Sequence, residues 1–346
     1  MRLRRAALVA VATCLLPALA ACGSGGDSIN AGDVVPARQD RQFIQDKEST
    51  LALPIGTLQI HAGAPRDTVA AKDTHELTAQ QAPSGLTYLP ITWRYDQAST
   101  QVYAHFLQTT ALPVVTLHSG DAAYHLPMPV PDQGTESFYV LVKKSTAHPS
   151  LSVDFDGVSQ SVDLTTGKRR SGRAAGLYGL SLRKPKAKKC NGSFTWSKVA
   201  RATQTCKLTG PILLPYAGGK WAEPGHEWLV LSVRTVLTTY TQAGASLGSA
   251  GTYYALGVDG SYRLNGKRPA AVIAGGGTCP DVATGTCGFD NALVFDAAAA
   301  HGRPSTLKVV EHYRMQLTQG WAGFNGKKRQ TVTETAHLHV PAPGRG

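Results

Sequence analysis

The sequence predicts an all-β protein built from two β-sandwich domains, and three observations carry this prediction. Short runs rich in β-branched and aromatic residues recur along the chain, separated by Pro, Gly and Asp-Gly. The 346 residues include 36 Gly and 20 Pro but only 17% charged residues, which is typical of a turn-rich chain. Strands do not alternate with long amphipathic helices, so a βαβ architecture is not expected.

The N-terminus has the layout of an export signal. Met1–Ala21 combines a basic start, an apolar run from Ala6 to Ala20 and a small-residue end. Its last residues and Cys22 resemble the bacterial lipobox, in which the cysteine is diacylated and becomes the mature N-terminus. This resemblance implies attachment to the membrane through Cys22, on the extracytoplasmic face. The alternative is an ordinary secretory signal with an accidental cysteine, and the export route, Sec or Tat, stays open.

Residues 22–50 are polar and rich in charge, which predicts a flexible tether with one weak helix near Ala37–Glu48. Beyond the signal, 32 basic residues face 23 acidic ones, so the mature net charge is +9. The hydrophobic content of 42% is sufficient for packed cores, which excludes wholesale disorder. No later stretch of the sequence has the 18 consecutive apolar residues of a transmembrane helix.

The first sandwich is predicted over residues 51–167. Its best local signal is Asp156-Gly157, a two-residue turn that would pair Phe155 with Val158 and Leu151 with Val162. This hairpin puts its apolar residues on one face. The other predicted strands of this domain are Leu86–Tyr95, Thr110–Leu117 and Ser137–Val142.

Residues 168–189 are predicted to be a basic interdomain linker, with nine cations and no acid. Such a run attracts polyanions, and outside the cell these are anionic lipid headgroups, teichoic polymers or acidic polysaccharide. Nucleic acid is not expected, because of the export signal. A solvated, flexible linker without a ligand is the alternative. The nine candidate polyanion-binding residues are Lys168, Arg169, Arg170, Arg173, Arg183, Lys184, Lys186, Lys188 and Lys189.

The second sandwich is predicted over residues 190–342. Its last run places Glu334 among apolar residues on one face, with His337 and His339 on the other. Ala297–Ala300 is the only compact helix-prone segment. The predicted strands are Glu227–Tyr240, Thr252–Leu264, Leu293–Asp296, Thr306–Gln316 and Arg329–Val340.

Part of this second half resembles a known family. The run that begins at Trp228, the strand Tyr254–Gly260 and the runs Ala292–Asp296 and Leu307–Val310 are similar to the immunoglobulin-like domains of unknown function in Gram-positive, actinobacterial-type surface lipoproteins. The resemblance implies an immunoglobulin-like sandwich and a strand that ends in an Asp-Gly turn. A Gly-, Thr- and Cys-rich insert, Gly275–Gly288, departs from the pattern. The first domain would be a looser relative.

Four cysteines of the mature chain remain after Cys22, and an even number outside the cytoplasm favours disulfides. Three connectivities are possible. Proximity favours Cys190–Cys206 and Cys279–Cys287. A zinc site is the competing interpretation, but the chain lacks the Cys-x-x-Cys spacing typical of one.

Two patterns suggest hydrolytic chemistry. Gly244–Gly248 matches the nucleophile elbow Gly-x-Ser-x-Gly with Ser246 as nucleophile, but the elbow needs a helix after the serine, and the sequence favours a hairpin loop there. Glu223 and Glu227 lie beside Trp221 and Trp228, as paired carboxylates do in a glycosidase with an aromatic platform. A loop that leads into a core strand is the simpler interpretation.

The histidines suggest a metal. His337 and His339 share one strand face, and His118, His125 and Met128 form a copper-like ligand mix. Neither group has an evident third or fourth ligand, so no metal is expected.

The sequence therefore predicts a lipid-anchored extracytoplasmic protein with a binding or structural role, without catalytic residues or cofactor. Its expected partners are the membrane, through Cys22, and an anionic envelope polymer or a protein. The oligomeric state stays open. The alternatives are an exported hydrolase using Ser246 or Glu223 and Glu227, and a metal-binding lipoprotein using His337 and His339.

Overall fold

The structure is a computed structural model that describes residues 29–129, 131, 134–180, 185–198, 200–277, 279, 281, 285–299 and 303–343. It confirms the all-β class, with 58% strand and 7% helix in antiparallel sheets. One short α-helix, α1 (Ala104–Leu107), and 3-10 helices at Ala71–Asp73, Gln101–Tyr103, Gly172–Gly179 and Ala297–Ala299 interrupt the strands. The last of these is the helix-prone segment of the sequence.

The strands are β1 Val34–Pro36, β2 Lys47–Leu53, β3 Gly56–Ala62, β4 Thr68–Val69, β5 Gln80–Gln81, β6 Leu86–Asp96, β7 Val114–Ser119, β8 Ala122–Leu126, β9 Thr135–Lys143, β10 Ser150–Phe155, β11 Val158–Asp163, β12 Arg169–Arg170, β13 Ala187–Lys189, β14 Gly192–Trp196, β15 Ala200–Leu214, β16 Tyr216–Ala217, β17 Lys220–Trp221, β18 Trp228–Ala243, β19 Ala250–Leu264, β20 Ala271–Gly275, β21 Cys287–Asp296, β22 Ser305–Trp321 and β23 Arg329–Val340.

The part of the chain from β1 to the 3-10 helix Gly172–Gly179, which we call domain one, forms two five-stranded antiparallel sheets that pack face to face. One sheet has the order β1-β9-β6-β3-β2 and the other β12-β11-β10-β7-β8. Alternate residues of both sheets point inward, so Leu58 and Ile60 of one sheet share a core with Leu117 and Val153 of the other. This inward alternation is the reason that the β-branched runs of the sequence form strands here.

The predicted hairpin of the first domain is confirmed. β10 pairs with β11 in the expected register, with Phe155 opposite Val158 and Leu151 opposite Val162. Asp156 and Gly157 have φ angles of 51° and 74°, and a two-residue hairpin turn of type I′ requires positive φ at both positions.

The predicted tether and its weak helix are wrong for residues 34–50. β1 pairs with β9, and β2 begins at Lys47, so this polar segment belongs to the first sheet. No described residue between 37 and 48 is helical. Phe43 is the reason for the difference: its ring packs edge-on against Tyr139, and its N–H donates to the buried Thr92 hydroxyl at 3.1 Å.

The part of the chain from β13 onward, which we call domain two, contains one nine-stranded sheet that folds over on itself. β15, β18 and β21 form one layer, and β19, β22 and β23 form the other, with Leu231, Phe295, Leu307 and Leu338 in the core between them. β18 continues from the first layer into the second, because its last residues pair with β19 instead of β21. β18 is therefore shared by the two layers.

The Asp-Gly turn expected in the second domain is wrong. Asp259 and Gly260 lie inside β19, opposite His312 and Glu311 of β22. Neither residue has the positive φ that a type I′ turn needs. Asp259 instead faces solvent and forms an ion pair of 2.6 Å with Arg314.

The predicted basic linker, residues 168–189, is also corrected. Arg169 and Arg170 extend the second sheet of domain one, the 3-10 helix Gly172–Gly179 buries Leu177 in the same domain, and β13 belongs to domain two. This segment is therefore part of the two folded domains and is not a flexible linker between them.

This contact between the domains has two parts. Trp221 enters the core of the first sandwich, where its indole N–H donates to the Phe155 carbonyl at 2.9 Å. Conversely, Phe106 of domain one packs against domain two, in a cluster with Val230 of β18 and Val294 of β21.

The two disulfides favoured by proximity are present. Cys190 and Cys206 are joined with a Cα separation of 5.3 Å, and Cys279 and Cys287 with 4.3 Å. The first disulfide ties the segment after β13 to β15, and the second closes the insert before β21. Among the described residues, no helix has the length and apolarity needed to cross a bilayer.

Candidate functional site

The most distinctive surface of the second domain is a row of three cations, which we call the basic row: Lys189 of β13, Lys207 of β15 and Arg234 of β18. Strand register places Lys207 directly opposite both Lys189 and Arg234. All three side chains are exposed, while their neighbours Cys206 and Leu208 point into the core. Since neighbouring strands lie about 4.8 Å apart, the row spans roughly 10 Å.

The basic row is electrostatically unfavourable without a counterion. Like charges directly opposite each other on a sheet are destabilising, and this row has two such pairs. No carboxylate among the described residues forms an ion pair with any of the three cations. β13, β15 and β18 contain no acidic residue at all. A bound anion would relieve this repulsion.

The surroundings of the basic row also suit an anion. Thr203 and Thr205 are exposed along β15 on the same face as Lys207, and their hydroxyls can donate hydrogen bonds. One acid borders the row: Asp290 of β21 lies directly opposite Arg234, accepts a hydrogen bond of 2.6 Å from Ser232 and lies 3.7 Å from His105, so it offsets part of the charge at this end. The Arg234 end of the row therefore lies beside the contact with domain one.

Apart from Arg173, which is described below, the remaining predicted cations within the described residues lie at two places. Lys186 and Lys188 precede Lys189 in the sequence and are exposed. On domain one, the exposed Lys168, Arg169 and Arg170 lie at the sheet edge, and the Arg169 guanidinium stacks 4.0 Å from the Tyr178 ring centroid. Arg183 and Lys184 lie outside the described residues.

A second candidate site is a cleft between the domains, with a volume of about 470 Å³. The 3-10 helix Gly172–Gly179 forms one wall, and the loop that carries Glu223, His226 and Glu227 forms the other. Arg173 is held in place because its Nε and Nη2 donate to the Ala222 carbonyl at 3.1 and 2.6 Å. The cleft brings the two predicted carboxylates into one depression.

The cleft lacks the arrangement expected of a glycosidase. A catalytic acid of that kind lies in a desolvated environment, but Glu223 is exposed and Glu227 is only half-buried. The expected aromatic platform is not available, because Trp221 is buried in the first core and Trp228 packs beneath Lys220. The geometry offers a polar binding surface there.

Ser246 does not lie in a nucleophile elbow. It occupies the exposed loop between β18 and β19, where its carbonyl accepts a hydrogen bond of 3.0 Å from the Ser249 N–H. β19 begins at Ala250, so a strand follows the serine where the elbow requires a helix.

The histidines do not converge on a common point. His118 and His125 hydrogen-bond to Ser152 and Thr116 of their own sheet, at 2.9 and 3.1 Å. His337 and His339 are exposed on β23. Met128 packs against the first core. Within the described ranges, no group of three or more His, Cys, Asp or Glu could hold a metal ion.

A pair of buried carboxyl groups escaped the sequence interpretation. Glu311 of β22 and Glu334 of β23 lie directly opposite each other inside the second sandwich, with 2% and 1% of their surface exposed. Burial is the main cause that raises the pKa of Glu311, and burial followed by repulsion from Glu311 raises the pKa of Glu334 to about 8.

The partners of these two groups show how they share a proton. Glu311 accepts hydrogen bonds from the Thr235 hydroxyl, at 3.1 Å, and from the Tyr313 hydroxyl, at 2.5 Å. Glu334 Oε2 accepts from Gln204 at 2.6 Å, but Oε1 has no donor while both carboxyls are ionised. Protonated Glu334 satisfies both groups, because it can donate to Glu311.

The lipidation site Cys22 and the signal lie outside the described residues. Comparison with models of known protein families gives no match, and no curated protein is significantly similar to this chain. The resemblance to immunoglobulin-like surface lipoproteins therefore stays a prediction from the quoted residues.

Proposed function

We propose that this chain is a lipid-anchored extracytoplasmic protein that binds an anionic polymer of the cell envelope through the basic row. The observation that carries the proposal is the register of Lys189, Lys207 and Arg234: three cations side by side, on strands without acids, that form no ion pair with any residue the structure describes. A repeating polyanion fits such a row, because it presents several negative charges at once.

Two further features support the extracytoplasmic part of the proposal. Disulfides persist in oxidising compartments, and the chain has two. The residues before Cys22 have the lipobox pattern, and two acyl chains suffice for stable anchoring. Mass spectrometry of the native mature protein tests this part: we expect a diacylated N-terminal cysteine, and an unmodified N-terminus would contradict it.

The binding part is tested with a synthetic poly(glycerol phosphate) and the chain from Gly23 onward, which contains every described residue. Replacing Lys207→Gln and Arg234→Gln together should weaken binding roughly 25-fold, since each cation near an anionic surface contributes about 1 kcal/mol. Affinity should also fall as salt rises, because salt screens these charges.

The matched control removes the same charge elsewhere. Lys72→Gln with Arg303→Gln deletes two exposed cations outside the basic row and should leave affinity within about twofold. Equal loss in both double variants would show that only net charge matters. No binding by the unmodified chain at low salt would overturn the polymer proposal.

A further inference from the structure

The far end of the second domain carries two exposed apolar side chains, which we call the apolar tip: Leu247 and Trp321. Leu247 lies in the loop between β18 and β19 with its surface fully exposed, at 105%. Trp321 ends β22 at 40% exposure and pairs directly with Ala250, the first residue of β19. The two side chains therefore belong to adjacent strand ends.

The backbone beneath the apolar tip is fixed. The loop closes on itself, because the Gly244 N–H donates to the Ser249 carbonyl at 2.7 Å. The Phe324 ring lies against Gly251 and Gly320, and side chains at these glycines would collide with or crowd that ring. Phe324 is thus packed inward, whereas Leu247 and Trp321 project outward.

Three cations stand behind the apolar tip, and we call them the basic collar: Lys327, Lys328 and Arg329, all exposed. The Lys327 carbonyl accepts a hydrogen bond from the Tyr253 hydroxyl at 3.1 Å, and the Lys328 carbonyl accepts one from the Leu317 N–H at 2.8 Å. Since Trp321 is four residues beyond Leu317, the collar lies roughly 13 Å behind the end of the tip.

Within the described part of the chain, no acidic side chain forms an ion pair with the basic collar. The segments 238–258 and 312–333 contain neither Asp nor Glu. On β23, the nearest acid is the buried Glu334, five residues from Arg329 and roughly 17 Å along the strand. An apolar point with a cluster of positive charge behind it complements a bilayer whose surface is anionic.

We propose that this end of the second domain is a membrane-contact site that inserts Leu247 and Trp321 into the interfacial region of an anionic lipid bilayer. Interfacial elements bury their apolar side chains about 5–10 Å deep, and Trp prefers this level of the membrane. At that depth the basic collar reaches the headgroup phosphates. The contact requires neither the basic row nor lipidation of Cys22.

The test uses the unlipidated chain from Gly23 onward and vesicles of phosphatidylcholine with or without phosphatidylglycerol. We expect sedimentation with the anionic vesicles and little with the neutral ones. Leu247→Ser should reduce partitioning about tenfold. Neutralising the collar with Lys327→Gln, Lys328→Gln and Arg329→Gln should reduce it about a hundredfold, at roughly fivefold for each cation.

Leu112 provides a matched control, because it is also an exposed leucine, at 82%, but lies on domain one. Leu112→Ser should leave partitioning unchanged. A fluorophore on Leu247→Cys, the one thiol outside the two disulfides, should shift to the blue with anionic vesicles, whereas one on Leu112→Cys should not.

Three results would overturn the proposal: no binding to anionic vesicles, equal loss for the two serine variants, or binding without a shift at position 247. The last would mean adsorption by charge alone. The Lys207→Gln, Arg234→Gln variant separates the two proposals, because it should keep the blue shift at position 247 while losing affinity for poly(glycerol phosphate).

Discussion

Replacing Glu334 with glutamine should stabilise this protein at neutral pH, although the side chain is buried and hydrogen-bonded. Glutamine has nearly the same shape, its carbonyl can accept the bond from Gln204, and its N–H can donate to Glu311 in place of the carboxyl proton. What the substitution removes is a carboxyl group that resists ionisation in the folded chain.

The magnitude follows from the pKa difference between the two states. The pKa of Glu334 is 4.5 in the unfolded chain and about 8 in the folded chain. Between these values the unfolded state loses its proton and the folded state keeps it, so the free energy of unfolding falls by about 1.4 kcal/mol per pH unit. The accumulated loss is roughly 1 kcal/mol at pH 5 and about 3 kcal/mol at pH 7.

The stability contribution of Glu334 therefore falls as pH rises, whereas that of an ordinary salt-bridged carboxylate rises with pH. The contribution of Glu334 to stability is complete below pH 4.5 and declines until about pH 8. Glu311 adds to the decline in the same direction, because burial also raises its pKa. Glu334→Gln should thus match the unmodified protein near pH 4 and exceed it by up to about 3 kcal/mol at pH 7.

Denaturant unfolding of both proteins at several pH values from 4 to 8.5 measures this difference. The matched control is Glu48→Gln, which neutralises an exposed strand glutamate and should change stability by less than about 0.5 kcal/mol. A stability difference for Glu334→Gln that does not grow with pH would refute the reasoning, because it would mean that folded Glu334 is ionised throughout.

Two further predictions concern the first disulfide and the contact that Trp221 makes with the first domain. Removing one disulfide with Cys190→Ser and Cys206→Ser, at a sequence separation of 16, should lower the free energy of unfolding by about 3 kcal/mol, measured by chemical denaturation; an unchanged midpoint would contradict this. Trp221→Ala should lower the free energy of unfolding by about 3–5 kcal/mol. Because Trp221 lies in the core of the first domain, the amide protons of β10 should lose protection from hydrogen exchange. Loss of protection confined to the second domain would contradict the shared core.

The sequence was sufficient for features that depend on local chemistry. The hairpin at Asp156-Gly157 could be predicted in register, because positive φ at both turn residues fixes which residues face each other. The same dipeptide at Asp259-Gly260 misled the interpretation, since Asp and Gly permit a turn but do not impose one. Long pairing with β22 decides the conformation there.

The basic row could not be predicted, because it exists only in the register of three strands. Lys189, Lys207 and Arg234 are far apart in sequence, and a slip of one residue would turn Lys207 into the core. The charge-rich run 168–189 drew attention instead, although the fold distributes its cations over two domains.

The buried carboxyl pair, by contrast, left a signal. Glu334 stands between Val332 and Ala336 on the apolar face of its strand, and Glu311 stands likewise between Val309 and Tyr313. A charged residue at an inward position of two neighbouring strands predicts a shared site. The alternation was visible, but its meaning depended on the pairing of the two strands.

The basic row and the buried carboxyl pair, the two unfavourable features of the second domain, both involve β18 and lie on its opposite faces. Arg234 belongs to the basic row on the outer face, and its neighbour Thr235 binds Glu311 on the inner face. β18 pairs with other strands along both edges, and its first half is covered by domain one. Because β18 is paired on both edges and packed against domain one, it can carry side chains that lower the free energy of unfolding. Side chains that lower stability are characteristic of functional sites. An anion from solvent could relieve the repulsion in the exposed basic row, whereas the carboxyl pair is buried and closed to solvent, so the row is the place where binding should be sought.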